Sequence, residues 1–509
     1  MIQQYYNFFF QILRVLLREI RGLKYHCIAI KQVPLITAAS IIILVCGGCR
    51  VGPDYVQPKI QMPDQWQQKL VHDFKNSHGN LHVWWETFDD PILNDLIHRA
   101  DVGNLDLKEA VARIGQARAI LGVVSGRKYP EINGIGDYNR ISFSKGIFDF
   151  PITRGTRTDN FYQLGIDTFW EVDLWGRVSR SVASATDNYQ VSVEDYRDIM
   201  VTLYAEVASA YTDVRSLQGR VKYAENNAKT QAETVKLTQD RNKAKLSPIL
   251  DIRQAELNLA RTRAAIEPLK EALANSMHRL GVLLGKFPTT LYPELSTAGT
   301  IPQAKLDMSV SLPVELLRQR PDIRMAERTL AAKHQLIGVA TADLYPQFSF
   351  SGFFTFQAVN SRNLIRDKSV GYAFGPGFRW NLFSGGRIRS QIQFAEQVTE
   401  ESLVKYENTI LRALQEVEDS MVSYVREKNR SKELTKSVKA AAESVELVKT
   451  LYINGLTDFQ NVLDMERSLF QEQDRLAESQ GRVSKNLIRL YKALGGGWNT
   501  EELSLDRRE

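Results

Sequence analysis

Four stretches of this chain alternate apolar and polar residues with a period of two, and most of what lies between them carries helical periodicity. In 161–173, Leu164, Ile166, Thr168, Trp170 and Val172 alternate with Gln163, Gly165, Asp167, Phe169, Glu171 and Asp173. In 371–382, Tyr372, Phe374, Phe378, Trp380 and Leu382 alternate with Ala373, Gly375, Gly377, Arg379 and Asn381. The run 347–357 places Phe348, Phe350, Phe354 and Phe356 on one face, with Gln347, Ser349, Ser351 and Thr355 on the other. Stretch 131–139 is the weakest, with Ile132 and Tyr138 against Glu131, Asn133, Asp137 and Asn139. This period predicts strands with one oily and one wet face. A helical tract opens at Gly176-Arg177 and runs to Leu246 with one glycine and no proline, and 387–454 contains neither residue. As single helices these would each be about 105 Å long. Shorter helical tracts are expected at 91–128, where Asp90-Pro91 gives a cap followed by proline, and at 248–285, 313–343 and 457–494.

The elements recur in the same order because the chain contains one unit twice. Gly165–Gly285 lies over Gly375–Gly495 at a constant offset of 210 without a gap: Trp170 falls on Trp380, Gly176-Arg177 on Gly386-Arg387, Glu206-Val207 on Glu416-Val417. Upstream the offset is 216, with Tyr129-Pro130 on Tyr345-Pro346. A period this long indicates a duplicated domain-sized unit, not a solenoid. The repeats are assigned to 89–300 and 301–497, followed by a tail at 498–509. The two shorter tracts of each copy together match the long one, so end to end they can pair with it antiparallel. Sparse, small apolar positions such as Ala205, Val207, Ala208 and Tyr211 suit a thin-walled helical cylinder.

Each strand is long enough to cross a bilayer when tilted. Four strands cannot close a barrel, and open edges in lipid leave backbone groups unpaired, so membrane-spanning strands must be pooled between chains. Three chains would give twelve. The alternative is a half-buried hairpin in a soluble sandwich. The expected class is α+β, mostly helical.

Composition narrows the partners. A formal charge of +6 on 509 residues, with bases interleaved among acids, gives no footprint for nucleic acid. All three cysteines, Cys27, Cys46 and Cys49, lie in the first tenth of the chain. Lys24 and Lys31, the apolar run Leu35–Val45 and Gly47-Gly48 lead to Cys49, the order of an export signal ending at a bacterial lipidation site. We therefore expect a signal peptide at 1–48 and a lipidated tether at 49–88, although Cys46 stands where such sites carry leucine. An ordinary transmembrane anchor is the competing reading, but eleven apolar residues are short for a span. His72, His78 and His82 lack an acidic or cysteine partner, so no metal site is expected. No phosphate loop or nucleophile elbow is present, and neither an enzyme nor a cofactor is expected.

Cys49 with Val51-Gly52-Pro53-Asp54-Tyr55, Trp84-Trp85, Asn104-Leu105-Asp106-Leu107, Leu312-Pro313, Arg320-Pro321-Asp322-Ile323 with Glu327, and Gly455 with Leu463-Asp464 resemble the NodT-type lipoproteins of the TolC-like outer membrane factor family. The resemblance spans essentially the whole mature chain. It implies a homotrimer whose twelve-stranded transmembrane β-barrel continues into a long periplasmic α-helical barrel in the outer membrane of a Gram-negative bacterium. It also implies two partners, a periplasmic membrane-fusion adaptor and an inner-membrane pump of the RND type, and an efflux role for drugs, toxic compounds or metal ions. The alternative function is a long-helix periplasmic adaptor or scaffold without a pore. A face bearing Phe348, Phe350 and Phe354 has no use there.

The turns 245–248 and 455–458, equivalent by the offset, lie about 100 Å from the strands if the helices are continuous. A duct must close somewhere, and the far tip is where helices have most freedom to move. The resemblance places a periplasmic gate there: Asp464 matches a carboxylate that forms a ring at the closed mouth, and Tyr452 matches a tyrosine tied to the first-copy acid, here Asp251. Arg467, one turn after Asp464, would partly neutralise the ring. Asn461 and Thr457 depart from the pattern, where some members carry a second Asp and an Arg, which implies fewer charged links. The plain alternative is that Asp251 and Asp464 are solvated residues favouring a helix dipole.

Overall fold

The computed structural model describes residues 50–63, 66, 74–75, 81–142, 158–304, 308–309 and 319–499. Copy one contributes helices α1 (Pro91–Gly103) and α2 (Leu105–Gly126), strands β1 (Glu131–Ser142) and β2 (Thr158–Val172), and helices α3 (Arg177–Lys243) and α4 (Ile249–Leu283). Copy two contributes α5 (Pro321–Ala342), β3 (Gln347–Ala358), β4 (Val370–Arg379), α6 (Arg387–Ile453) and α7 (Phe459–Ala493). The duplication is exact in length where it matters: α3 and α6 each have 67 residues, α4 and α7 each 35, α2 and α5 each 22.

The four strands form one antiparallel sheet in the order β1-β2-β3-β4. Register puts Trp170 opposite Phe350, Ile166 opposite Phe354, Phe354 opposite Tyr372 and Phe348 opposite Phe378, so the oily faces read from sequence merge into a single face. Phe161, Phe169 and Phe353 share the other face with Asp167 and Glu131, so that side is not wholly polar. Gly352 is required by a close approach: a Cβ there would stand 2.2 Å from the Phe374 ring. At the foot of the sheet each copy uses the same anchor. The Trp170 indole donates to the Lys128 carbonyl and that of Trp380 to the Leu344 carbonyl, both at 3.0 Å.

Helices α3 and α6 run unbroken for about 100 Å. Toward the sheet α3 is flanked by α2 and α5, and toward the tip by α4 and α7. The expected pairing of the long helix with both shorter ones is therefore present, with copy two added on the other flank. Among the described helices, α6 is packed along its length by α5 and α7, and the strap at 50–62 touches it at Tyr406 and Ile410. By the offsets, the equivalents of the two missing neighbours are α2 and α4. Exposed Phe394, Val404 and Leu411 on α6, and Val111, Ile120 and Val123 on α2, are among the apolar residues left over. The sheet repeats the pattern, with β2 paired on both sides and β4 on one.

The tract expected at 91–128 is divided at Asn104. Its backbone turns out of the helix (ψ 136°), its side chain caps α2 by accepting from Leu107 N, and its amide donates to Leu283 O. The chain here crosses the end of α4 so closely that a Cβ on Gly103 would stand 2.3 Å from the Leu284 carbonyl oxygen. The largest core also differs from a thin wall. A collar at mid-height packs Val207, Ala208, Tyr211 and Val214 of α3 against Trp84, Leu93, Leu96, Leu280 and Leu490. Trp84, at 1% exposure, is the centre of that core, and residues 81–88 form a 3-10 helix rather than part of a tether. Trp498 closes the collar, with the guanidinium groups of Arg197 and Arg324 at 4.6 and 5.1 Å from its ring centroid. Small apolar residues on α3 admit these short elements close to its axis.

Residues 50–62 are extended and strapped to the helices. Val51 N donates to Trp175 O, Arg180 to Asp54 at 2.8 Å and Tyr55 to Glu327 at 2.7 Å, while Ile60 and Met62 pack on Ile323, Leu330, Tyr406 and Ile410. Cys49 and residues 1–48 fall outside the described residues, as do His72 and His78; His82 contacts the Trp498 carbonyl.

Candidate functional site

The two hairpin turns have one backbone design. In copy one Leu246 N donates to Arg241 O and Lys245 N to Asn242 O; in copy two Leu456 N donates to Leu451 O and Gly455 N to Tyr452 O. This is the six-to-one, five-to-two pattern that ends a helix through a left-handed residue. Gly455 occupies that conformation without strain (φ 72°), whereas Lys245 adopts it with a side chain (φ 60°).

The turns are stitched together by one aromatic residue. The Tyr452 hydroxyl donates to Asp251 Oδ2 at 3.0 Å, and the Arg241 guanidinium lies 4.7 Å from its ring centroid. Arg241 also donates to the Ile453 carbonyl at 2.8 Å. Tyr452, 4% exposed, packs with Phe459, Ala255, Val462 and Leu463 in a small core of its own. Burial first, and then the hydrogen bond to Asp251, raise its pKa above the ordinary tyrosine value, so it stays a donor through neutral and mildly alkaline pH.

The other expected residues behave differently. Asp464 accepts from Gln460 at 3.0 Å and pairs with Arg467 at 3.4 Å, all on α7, with roughly half of each ionic side chain open to solvent. Asn461 donates to Thr457 Oγ1 at 2.8 Å and takes no part in joining the hairpins. The structure thus brings Asp251 to Tyr452 and Asp464 to Arg467 and leaves Asn461 apart.

Two residues escaped the sequence reading. Arg241 is one; its signal is a break in the repeat, a charge where the second copy has Leu451. Glu466 is the other, 3% exposed, accepting from Thr234 of α3 at 2.7 Å and from Lys449 of α6 at 3.0 Å, so that it ties three helices just above the tip. Its signal is an acid on the same helical face as Val462 and Leu463.

Comparison with known proteins matches the chain to the outer membrane efflux protein model twice, over residues 96–286 and 312–496, once per repeat. Nodulation protein T of Rhizobium leguminosarum bv. trifolii is 29% identical over 461 residues, covering 90% of this chain and 96% of that protein. The toluene efflux pump outer membrane protein TtgI of Pseudomonas putida is 29% identical over 472 residues, covering 90% and 98%. The solved structure of the outer-membrane channel OprN superposes with a TM-score of 0.83 at 31% identity, covering 88% of this chain and all of that one.

Proposed function

Since this chain belongs to the outer membrane efflux protein family, we propose that it is the outer-membrane channel of a tripartite export system. It acts as a passive duct carrying drugs, other toxic compounds or metal ions from an inner-membrane pump to the outside. The observation that carries this reading is the unfinished packing. One chain offers a sheet open at β1 and β4 and a helix α6 with half its flanks bare. Applying the internal offset once more gives β4 the β1 of a further copy, and gives α6 the α2 and α4 of that copy. Three copies close the sheet at twelve strands and the helices into a tunnel with no edge in lipid.

The chain works by conduction, not catalysis, and energy comes from its partners: a periplasmic adaptor and, on the strength of the NodT-type resemblance, an RND-type pump. Cys49 carries the lipid that anchors the chain to the outer membrane, and the strap at 50–62 continues from it onto the helices. The tip is the gate. Tyr452 bound by Asp251 and Arg241 holds the second hairpin against the first, and Asp464 with Arg467 sets the charge near the three-fold axis. Native mass measurement in detergent, followed by reconstitution into a planar bilayer, tests the reading. Three chains per particle with small, cation-sensitive single-channel currents are expected. A stable water-soluble monomer that never conducts would overturn it.

A further inference from the structure

The trimer proposed above has two kinds of helix seam around its tunnel, and only one of them lies within a chain. The internal seam joins α3 to α7. At its upper end Ser216 Oγ donates to the Ala477 carbonyl at 3.1 Å, and a Cβ on Gly481 would stand 2.8 Å from Ser216 Oγ. Both Ser216 and Ala477 are buried, so small residues let these helices approach closely. Below them Arg220 holds Asp474 through two bonds of 2.7 and 3.0 Å.

The second seam joins α6 to α4 of the next chain. The gap-free offset of 210 carries each position across. Ser216 becomes Arg426, Ala477 becomes Glu267 and Gly481 becomes Glu271. Arg220 becomes Arg430 while its partner Asp474 becomes Ala264, and Arg430 turns to Glu427 of its own helix at 3.2 Å. Arg426, Glu267 and Glu271 are all exposed, and among the described residues no ion pair joins any of them to its own chain. Lys270, which adjoins Glu271 in the chain, is already engaged by Glu225 at 3.2 Å.

From this we infer that Arg426 of each protomer enters between Glu267 of the partner subunit and Glu271 of the partner subunit, making the intersubunit seam a charge-held contact where the internal seam is a close-packed one. The two glutamates are one helical turn apart on a single face, the spacing that a forked guanidinium can bridge. Three long side chains stand where the internal seam has two small residues and a bare glycine, so the helices are set further apart between subunits than within them. Complementary charge fixes the register of that wider contact and makes it sensitive to salt, as exposed pairs are.

The inference rests on the trimeric reading, and the test separates the two. In a background with Cys27, Cys46 and Cys49 all changed to serine, Arg426→Cys combined with Glu271→Cys is treated with a short bis-maleimide while native mass is measured in parallel. Covalent two-chain and three-chain species on a denaturing gel are expected. A native trimer whose chains all run at single-chain mass would overturn the seam alone; a wild-type protein that is not trimeric would overturn the assembly and the seam together. Charge reversal guards against a misfolded pair. Arg426→Glu lowers the temperature at which the trimer dissociates, and adding Glu267→Arg and Glu271→Arg restores it. Equal dissociation temperatures for the single and triple variants would count against the contact.

Discussion

The two hairpin tips share a backbone and divide the chemistry. Copy two supplies the residue that is held, Tyr452, and copy one supplies what holds it, Asp251 and Arg241. The offset shows why the link runs one way: the counterparts of Tyr452, Asp251 and Arg241 are Asn242, Asn461 and Leu451, which cannot reproduce an aromatic ring gripped by a carboxylate and a guanidinium. Asn242 instead donates to the Ser247 carbonyl and Asn461 to Thr457, each within its own hairpin. Duplication built a wall of equivalent helices, and divergence at three positions gave each protomer a single fastening between its hairpins. A trimer then has three such links to break, not six.

Erasing the held residue has the largest effect. Tyr452→Ala removes a buried ring, a hydrogen bond to a carboxylate and a cation contact, and by analogy with large-to-small core substitutions costs the tip about 3 kcal/mol. Hydrogen exchange should accelerate at 445–463 and leave the collar unchanged. Loss of protection in the collar as well would mean that tip and body are one cooperative unit.

Making the copies alike at the turn has a smaller effect of opposite sign in the two. Lys245→Gly relieves a left-handed side chain and stabilises the copy-one turn by about 1 kcal/mol, whereas Gly455→Lys costs copy two about as much. Protease cleavage rates at the two turns read both. Asp198 is a similar asymmetry at the collar, with Asn408 as its counterpart. Burial, with Asp322 nearby, pushes the Asp198 carboxyl up to about 6. Its folded-state value lies above that of the unfolded chain, so the group favours the fold most below pH ~4 and loses that contribution as pH rises through about 6. Asp198→Asn should therefore raise thermal stability at pH 7.5, by roughly 1 kcal/mol after allowing for partial solvent access, and leave it unchanged near pH 4. An equal gain at both pH values would show that charge is not the cause.

Asp464→Ala gives the smallest change. Its exposed pair with Arg467 is worth about 0.3 to 0.5 kcal/mol, so stability hardly moves. The expected readout is weaker block by divalent cations added on the periplasmic side, because the proposed gate sets that carboxylate near the axis.

These contrasts also show what the sequence made legible. The strands stood out because a half-exposed sheet imposes a period of two on residues as different as Thr168 and Trp170, and the long helices because glycine and proline are nearly excluded from them. The repeat made the lengths certain, since independent helices would not both end at 67 residues. What stayed hidden depends on contacts between distant segments. The division at Asn104 exists because α4 ends beside it, and Trp84 becomes the centre of the collar only when α3 and α7 meet there. Pattern predicts which face of a helix is buried but not by what. Hence Arg241 and Glu466, whose partners lie on other helices, leave only faint signals in the sequence, while Asp251 and Tyr452 are legible through family resemblance and not from periodicity.

Single-channel conductance of Tyr452→Phe and Asp251→Ala beside wild type in planar bilayers tests the one-way fastening most directly. Each variant leaves the ring or its pocket in place and removes the 3.0 Å Tyr452–Asp251 bond while keeping the Arg241 bond to the Ile453 carbonyl. The account predicts small wild-type currents and a larger conductance in both variants, with the double variant no larger than the greater of the two, because both delete the same link. Conductance equal to wild type in all three would contradict it.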